Sequence, residues 1–218
     1  PEARIDVVPN SVDIARFGDA DVNDLPPGLE RRDGSTAWIT SVANMRHPVK
    51  DQETLIRAAA IVVESHPEAV FLLVGEGELT QRYRDLAAGL GIEANVRFPG
   101  RLENVEAVLR ASRICVLSSR AEGMSNSLLE YCAAGRPVVA TDVGAAADIV
   151  LHGETGLLVP PGDARSLASG IVSLLDDPSG AERMGRRAGE RVASTFSPDA
   201  LLENLERLYG RLLSEARR

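Results

Sequence analysis

Two carboxylates, Glu122 and Glu130, stand with seven residues between them in the stretch ICVLSSRAEGMSNSLLEYCAAGRPVVAT, residues 114–141. Glu122 precedes a helical pattern, and its carboxylate can point into a pocket and accept hydrogen bonds from sugar hydroxyls. Glu130 lies about one turn into that helix, where a carboxylate suits a ribose diol. Between them, Gly123, Met124, Ser125 and Asn126 form a loop whose N–H groups can face a ligand, with Gly123 allowing close approach. Each carboxylate also has a plainer reading. Ser127-Leu128-Leu129-Glu130 fits the capping box, in which the Glu folds back on the helix start. Glu122 also reads as a solvated surface residue.

A second candidate set is Arg46 and Lys50, in NMRHPVKD. Both fall between a strand pattern and a helix start. The amino end of a helix carries partial positive charge, so two cations there cost stability, and an arriving diphosphate reverses that cost. Two solvated surface cations are the alternative. Val74-Gly75-Glu76-Gly77-Glu78-Leu79-Thr80 superficially resembles a dinucleotide fingerprint. Its sixth position is Thr80 rather than Gly, and it does not follow the first strand. It therefore reads as a tight strand-to-helix turn beside the cleft, with Gly75 at the turn. Pro99-Gly100-Arg101-Leu102 follows the next strand in the same way and either offers backbone to a planar base or is a plain turn. His47, His66 and His152 have no partners at ligand or triad spacing and read as structural or exposed. No acidic cluster suggests a metal.

These residues need a frame. Ala37 to Val42, Val70 to Val74, Val96 to Phe98, Ile114 to Leu117, Val138 to Ala140 and Gly156 to Val159 are largely apolar runs of strand length. Helical patterns separate them: Gln52–Ser65 capped by Asp51, Leu79–Leu90, Glu103–Ser112, Ser127–Ala134 and Ala146–Leu151. Helices at Asp163–Leu175, Ala181–Phe196 and Pro198–Ser214 follow. Strand and helix alternating in this way predict an α/β fold: one Rossmann-like, doubly wound parallel sheet with extra carboxyl-terminal helices. Residues 4–9 read as a further short strand, 10–17 as a turn with one helical turn, and 18–35 as a surface loop. Leu201, Leu205, Leu208 and Leu212 make an apolar stripe on the last helix.

Composition narrows the class. The chain has 218 residues, 44% hydrophobic and 26% charged, with a formal charge of −8. Nucleic acid is thus an unsuitable partner, and an anionic ligand must be held by local cations. No apolar run reaches the roughly 20 residues of a transmembrane helix. Cys115 and Cys132 read as buried thiols, which fits a reducing, cytoplasmic setting. The chain begins at Pro1 without a signal-peptide pattern, and a fragment or processed product is expected.

The ordered set of motifs resembles the carboxyl-terminal half of retaining glycosyltransferases of the GT-B fold, in the family 4 (group 1) type. The matching pieces are Val8-Pro9-Asn10-Ser11-Val12-Asp13, Arg46 with Lys50-Asp51, Val74-Gly75-Glu76-Gly77, Phe98-Pro99-Gly100-Arg101, and Glu122 with Glu130. AGRPVVAT at 134–141 and GETGLLVPPGD at 153–163 complete it. The resemblance implies that Arg46 and Lys50 bind a donor diphosphate, that Glu122 meets the donor sugar and Glu130 the ribose. The amides around Gly123–Asn126 would approach sugar and phosphate, and backbone near Arg101 and Leu102 the base. It implies no cofactor and no metal, with a nucleotide diphosphate sugar as donor substrate. Gly144-Ala145-Ala146-Ala147-Asp148 departs from the family's Gly-Gly-x-x-Glu at Ala145 and Asp148.

The family pairs two Rossmann-like domains across its active cleft, and only one such pattern exists here. The expectation is a single donor-binding domain over 1–218, with 1–36 as inter-domain linker strand and surface loop. Residues 197–218 would form a helix that docks on an amino-terminal acceptor domain. The parent enzyme would be cytoplasmic, with peripheral contact at the inner membrane face open to it, and this half alone inactive. The alternatives are a non-catalytic nucleotide-sugar binding module or subunit, and a GT-B-like nucleotide-sugar epimerase.

Overall fold

The computed structural model describes residues 5–18, 20–21, 24–29 and 36–216. Among them, six parallel strands form one sheet: β1 (Ala37–Val42), β2 (Ala69–Val74), β3 (Val96–Gly100), β4 (Ile114–Leu117), β5 (Val138–Thr141) and β6 (Leu157–Val159). Their spatial order is β3-β2-β1-β4-β5-β6. The chain winds outward one way from β1 to β3, then crosses back and winds the other way from β4. Such an order creates a switch point between β1 and β4, where the two flanking loops diverge and leave a crevice at the carboxyl ends of the strands.

Burial explains why the strands read as unbroken apolar runs. All six residues of β2 are buried, because helices cover both faces of the sheet. Side chains alternate between those faces. Ile39, Phe71, Leu73, Val116 and Val139 point toward α2 (Gln52–Ser65), α3 (Thr80–Gly89) and α7 (Ala164–Asp176). Trp38, Val70, Leu72 and Val74 meet Val108 of α4 (Val105–Ala111) on the opposite face. Beside them Cys115, Leu117, Val138 and Ala140 pack on α5 (Asn126–Ala133) and α8 (Pro178–Thr195), with Phe17 of the short α1 (Ile14–Gly18). Burying each large apolar side chain contributes about 1.5–3 kcal/mol. Both cysteines belong to this core. Burial pushes the Cys132 thiol up to about 12 and Cys115 higher still, so neither is a ready nucleophile.

The helix starts follow capping chemistry. Asp51, Asn104 and Asp163 accept hydrogen bonds from the first-turn amides of α2, α4 and α7. α6 (Ala146–Ile149) is a single turn. Of the strand expected at 4–9, the described residues 5–9 form no strand, because among the described residues no neighbouring strand lies beside them to pair with. Residues 1–4, 19, 22–23, 30–35 and 217–218, which include parts of the expected strand, surface loop and last helix region, lie outside the described set. The final helix, α9 (Pro198–Ala216), keeps its leucine stripe only partly covered. Leu201, Leu205 and Leu208 are half-buried and Leu212 is exposed. No described helix is long and apolar enough to cross a membrane.

Candidate functional site

The loops that leave β1 and β4 meet at the switch point. After β1 the chain passes through Ala43 and Asn44 and bends at Met45–His47, zipped to the loop after β2. Met45 N donates to Glu76 O and Leu79 N to Met45 O, both at 2.9 Å. It then makes a single 3-10 turn, Pro48–Lys50, before Asp51 opens α2. After β4 the chain runs Ser118–Ser125 into α5. Bounded by the β1 loop on one side and by α5, which follows the β4 loop, on the other lies a cleft of about 510 Å³ lined by Arg46, Lys50, Gly75, Arg101, Leu102 and Glu130, with Asn44, Glu76 and Ser127. Residues from the loops after β1, β2 and β3 and from α5 thus converge, as the crevice of a doubly wound sheet requires.

The two cations differ. Arg46 makes no side-chain hydrogen bond or ion pair with any described residue and stands free at the cleft wall. Lys50 is engaged: its Nζ donates to Glu122 Oε1 at 2.7 Å. Ser119 Oγ donates to the same carboxylate oxygen at 2.6 Å. The expected two bare cations at a helix start are therefore one bare and one paired, with the opposing charge supplied by the very carboxylate assigned to a sugar. Glu122, Gly123 and Met124 line an adjoining cavity of about 710 Å³ together with Val8, Pro9, Asn10 and Ala145. The Lys50–Glu122 pair stands between the two spaces.

Glu130 is not a helix cap. The N-cap of α5 is Ser125, whose hydroxyl accepts from Leu128 N at 3.3 Å. Ser127, the expected cap, instead donates its hydroxyl to Val42 O at 2.9 Å. With the capping-box partner gone, the Glu130 carboxylate accepts no hydrogen bond from any described residue. Burial raises its pKa above the ordinary carboxylate value, and Arg16 offsets this only in part. An unpartnered, partly desolvated carboxylate on a cleft wall is costly unless a ligand donates to it.

The structure separates the remaining loop residues by task. Ser125 is buried and spends its hydroxyl on the cap. Asn126 Oδ1 accepts from Asn10 Nδ2 at 2.9 Å, and the Met124 sulfur accepts from Asn10 N at 3.1 Å. A Cβ at Gly123 would meet open space. The close approach expected there belongs to Gly144, whose φ is +55° and where a Cβ would lie 2.2 Å from Glu122 O. Ala145 N donates to Gly123 O at 2.9 Å. The loop after β5 thus braces the loop that carries Glu122. Sequence reasoning also missed Ser119 and Arg120; both stand in the SSRAEG run, but their partners lie elsewhere in the chain.

This frame and cleft can be set beside known proteins. A sequence model of the family described as "Glycosyl transferases group 1" matches residues 36–177, the strands and helices that build the cleft. An exopolysaccharide phosphotransferase of Streptomyces coelicolor is 34% identical over 194 residues, 88% of this chain and 20% of that protein. A D-inositol 3-phosphate glycosyltransferase of Corynebacterium efficiens is 34% identical over 217 residues, 94% of this chain and 50% of that protein. The HepE protein of Anabaena, solved in complex with UDP-glucose, shares the fold with a TM-score of 0.81 at 24% identity, covering 96% of this chain and 57% of that one. The chain spans about half the length, or less, of the curated relatives it matches. Six parallel strands in the switched order, the cleft above them and a family match over the whole sheet give one assignment: the chain belongs to the group 1 glycosyl transferases.

Proposed function

We propose that this chain is the donor-binding half of a retaining glycosyltransferase that moves a sugar from a nucleotide diphosphate sugar to an acceptor. The observation that carries the proposal is the convergence of Arg46, Lys50 and Glu130 on one cleft at the switch point. A nucleotide diphosphate sugar laid along it would place its diphosphate at Arg46 and Lys50. Its ribose would reach the unpartnered Glu130 and its base the backbone at Arg101–Leu102. Its sugar would face Glu122 and the loop Gly123–Met124. When the glycosidic bond to the diphosphate breaks, negative charge grows on the leaving phosphate. Fixed cations at that position stabilise it, a task here given to Arg46 and Lys50 rather than to a metal. The HepE complex with UDP-glucose is consistent with a nucleotide sugar in this fold, while the donor assignment itself rests on the cleft.

In this reading a second, amino-terminal domain binds the acceptor, this half alone transfers nothing, and the leucine stripe of α9 meets that domain. Calorimetry of the 218-residue chain with UDP, GDP and ADP tests the binding step. One of the three should bind, and the Arg46→Ala/Lys50→Ala double variant should bind it about 100-fold more weakly, as for two charge-assisted contacts of roughly 1.5 kcal/mol each. Equal affinity in both proteins would sink the diphosphate assignment. The anomeric configuration of the product, read by NMR on the intact enzyme, tests retention.

A further inference from the structure

Asp51 has φ +49° and ψ +44°, the left-handed region, where the other described residues with positive φ are glycines. An L-residue there is strained, and Asp tolerates it through local hydrogen bonding. Asp51 ends the 3-10 turn that carries Lys50 and starts α2. Its carboxylate is buried and accepts from Thr54 Oγ1 at 2.7 Å and from Thr54 N at 3.4 Å. These contacts would suffice for a helix cap. Yet Arg120, on the far side of the switch point, also reaches it, with Nε 2.9 Å from Oδ2 and Nη2 3.4 Å from Oδ1.

Two further bonds run in parallel with this fork. Arg120 N donates to Val49 O at 2.8 Å, and Ser118 Oγ donates to Lys50 O at 2.9 Å. The register of β1 against β4 covers only Ile39–Ile114 and Thr40–Cys115, so the strand ladder itself does not hold the loops together. Val49, Lys50 and Asp51 are each tied to Ser118 or Arg120. The free ends of the two loops are Lys50 Nζ and the Glu122 carboxylate, and they meet at 2.7 Å.

We infer that Arg120 and Asp51 form a clasp that positions Lys50 for the donor diphosphate, Arg120 acting as a positioning residue that touches no ligand itself. This rests on the donor-cleft reading above. A planar guanidinium fixes direction as well as distance, which a lysine does not. Removing it leaves Asp51 in place through Thr54, while the Val49–Lys50 turn keeps the Arg120 N–Val49 O and Ser118 Oγ–Lys50 O bonds but loses the side-chain fork, which gives it more room to drift relative to the loop of β4. Displacement of a binding group by about an ångström is enough for a large loss of function.

The test uses the 218-residue chain and whichever of UDP, GDP or ADP it binds. Arg120→Gln should weaken that diphosphate about 10-fold or more, while the affinity for the corresponding nucleoside, read by saturation-transfer NMR, stays within about 2-fold. Asp51→Asn keeps the left-handed turn and the Thr54 contacts but loses the charge, and should show the same selective loss. The double variant should lose no more than either single one, because both break one link. Arg120→Lys should recover only part of the affinity. Native diphosphate affinity in Arg120→Gln, additive losses in the double variant, or an equal loss for nucleoside and diphosphate would each overturn the clasp while leaving the donor cleft intact. Absence of binding by the unaltered chain to all three diphosphates would overturn the cleft reading and the clasp together.

Discussion

Lys50 Nζ lies 2.7 Å from Glu122 Oε1, joining two residues 72 positions apart across the switch point of the sheet. In the proposed reading these two groups hold different parts of one donor, so in the empty cleft each occupies the other's binding capacity. Glu122→Gln should therefore free Lys50. Nucleoside diphosphate should bind up to about 5-fold more tightly by calorimetry, the range of a partly exposed ion pair worth roughly 0.2–1 kcal/mol. The same variant in the intact enzyme should transfer sugar more slowly, because the carboxylate facing the sugar is gone. Tighter diphosphate binding with unchanged transfer would remove Glu122 from the sugar site.

Glu130 sets stability against binding. Burial raises its folded pKa above the unfolded value. Between those values the folded chain holds the proton more tightly than the unfolded chain. Stability contributed by this group is present at low pH and falls as pH rises through the folded pKa. Glu130→Gln removes that penalty. The variant should melt at a higher temperature than the parent at pH 8, and the difference should shrink toward pH 4. Its affinity for the nucleoside diphosphate should drop about 10-fold, as for a lost charged hydrogen-bond acceptor. Equal affinity would place the ribose elsewhere.

Gly144→Ala tests the brace under the Glu122 loop. A Cβ there would fall 2.2 Å from Glu122 O and 2.4 Å from Gly123 O, at a φ of +55° that alanine avoids. Relief requires the loop to move. Urea unfolding should show a loss of about 1–3 kcal/mol, and diphosphate affinity should fall with it. A native denaturation midpoint would mean that the loop yields without cost.

Tyr131 ties α5 to the end of β1. Its hydroxyl accepts from Val42 N at 2.6 Å, and the side chain is fully buried. Tyr131→Phe leaves that buried N–H without its partner. The expected loss is about 1–3 kcal/mol in urea unfolding, and a neutral result would show that water or another acceptor takes over.

The architecture is legible in the sequence because buried parallel strands must be nearly all apolar. Phe71, Leu72 and Leu73 are such a run, and the alternation with helices calls for a parallel, doubly wound sheet without fixing the order of its strands. Asp51 as the cap of α2 is local chemistry and is equally readable. Ser127 shows where reading fails. Its spacing to Glu130 fits a capping box, but Val42 O, 85 positions away, takes the hydroxyl and leaves Ser125 to cap. Residues 4–9 have strand composition, yet a strand needs a neighbour, and composition does not reveal one. Arg46, Lys50 and Glu130 were selectable by residue type and position. The pairing of Lys50 with Glu122 and of Asp51 with Arg120 was not, because both depend on which loops the sheet order brings side by side.

The two-rung contact between β1 and β4 has a mechanical side. β1 and β2 share six registered pairs, while β1 and β4 share two, directly beneath the cleft. No other neighbouring strands share so few registered pairs, so this line divides the sheet into two leaves, β3-β2-β1 and β4-β5-β6. The side-chain ties at Ser118, Arg120, Ser127 and Tyr131 act as stitches along that spine. A molecule lying across it and gripping both leaves would add stitches of its own, so occupancy should register as resistance to tearing before it registers as chemistry.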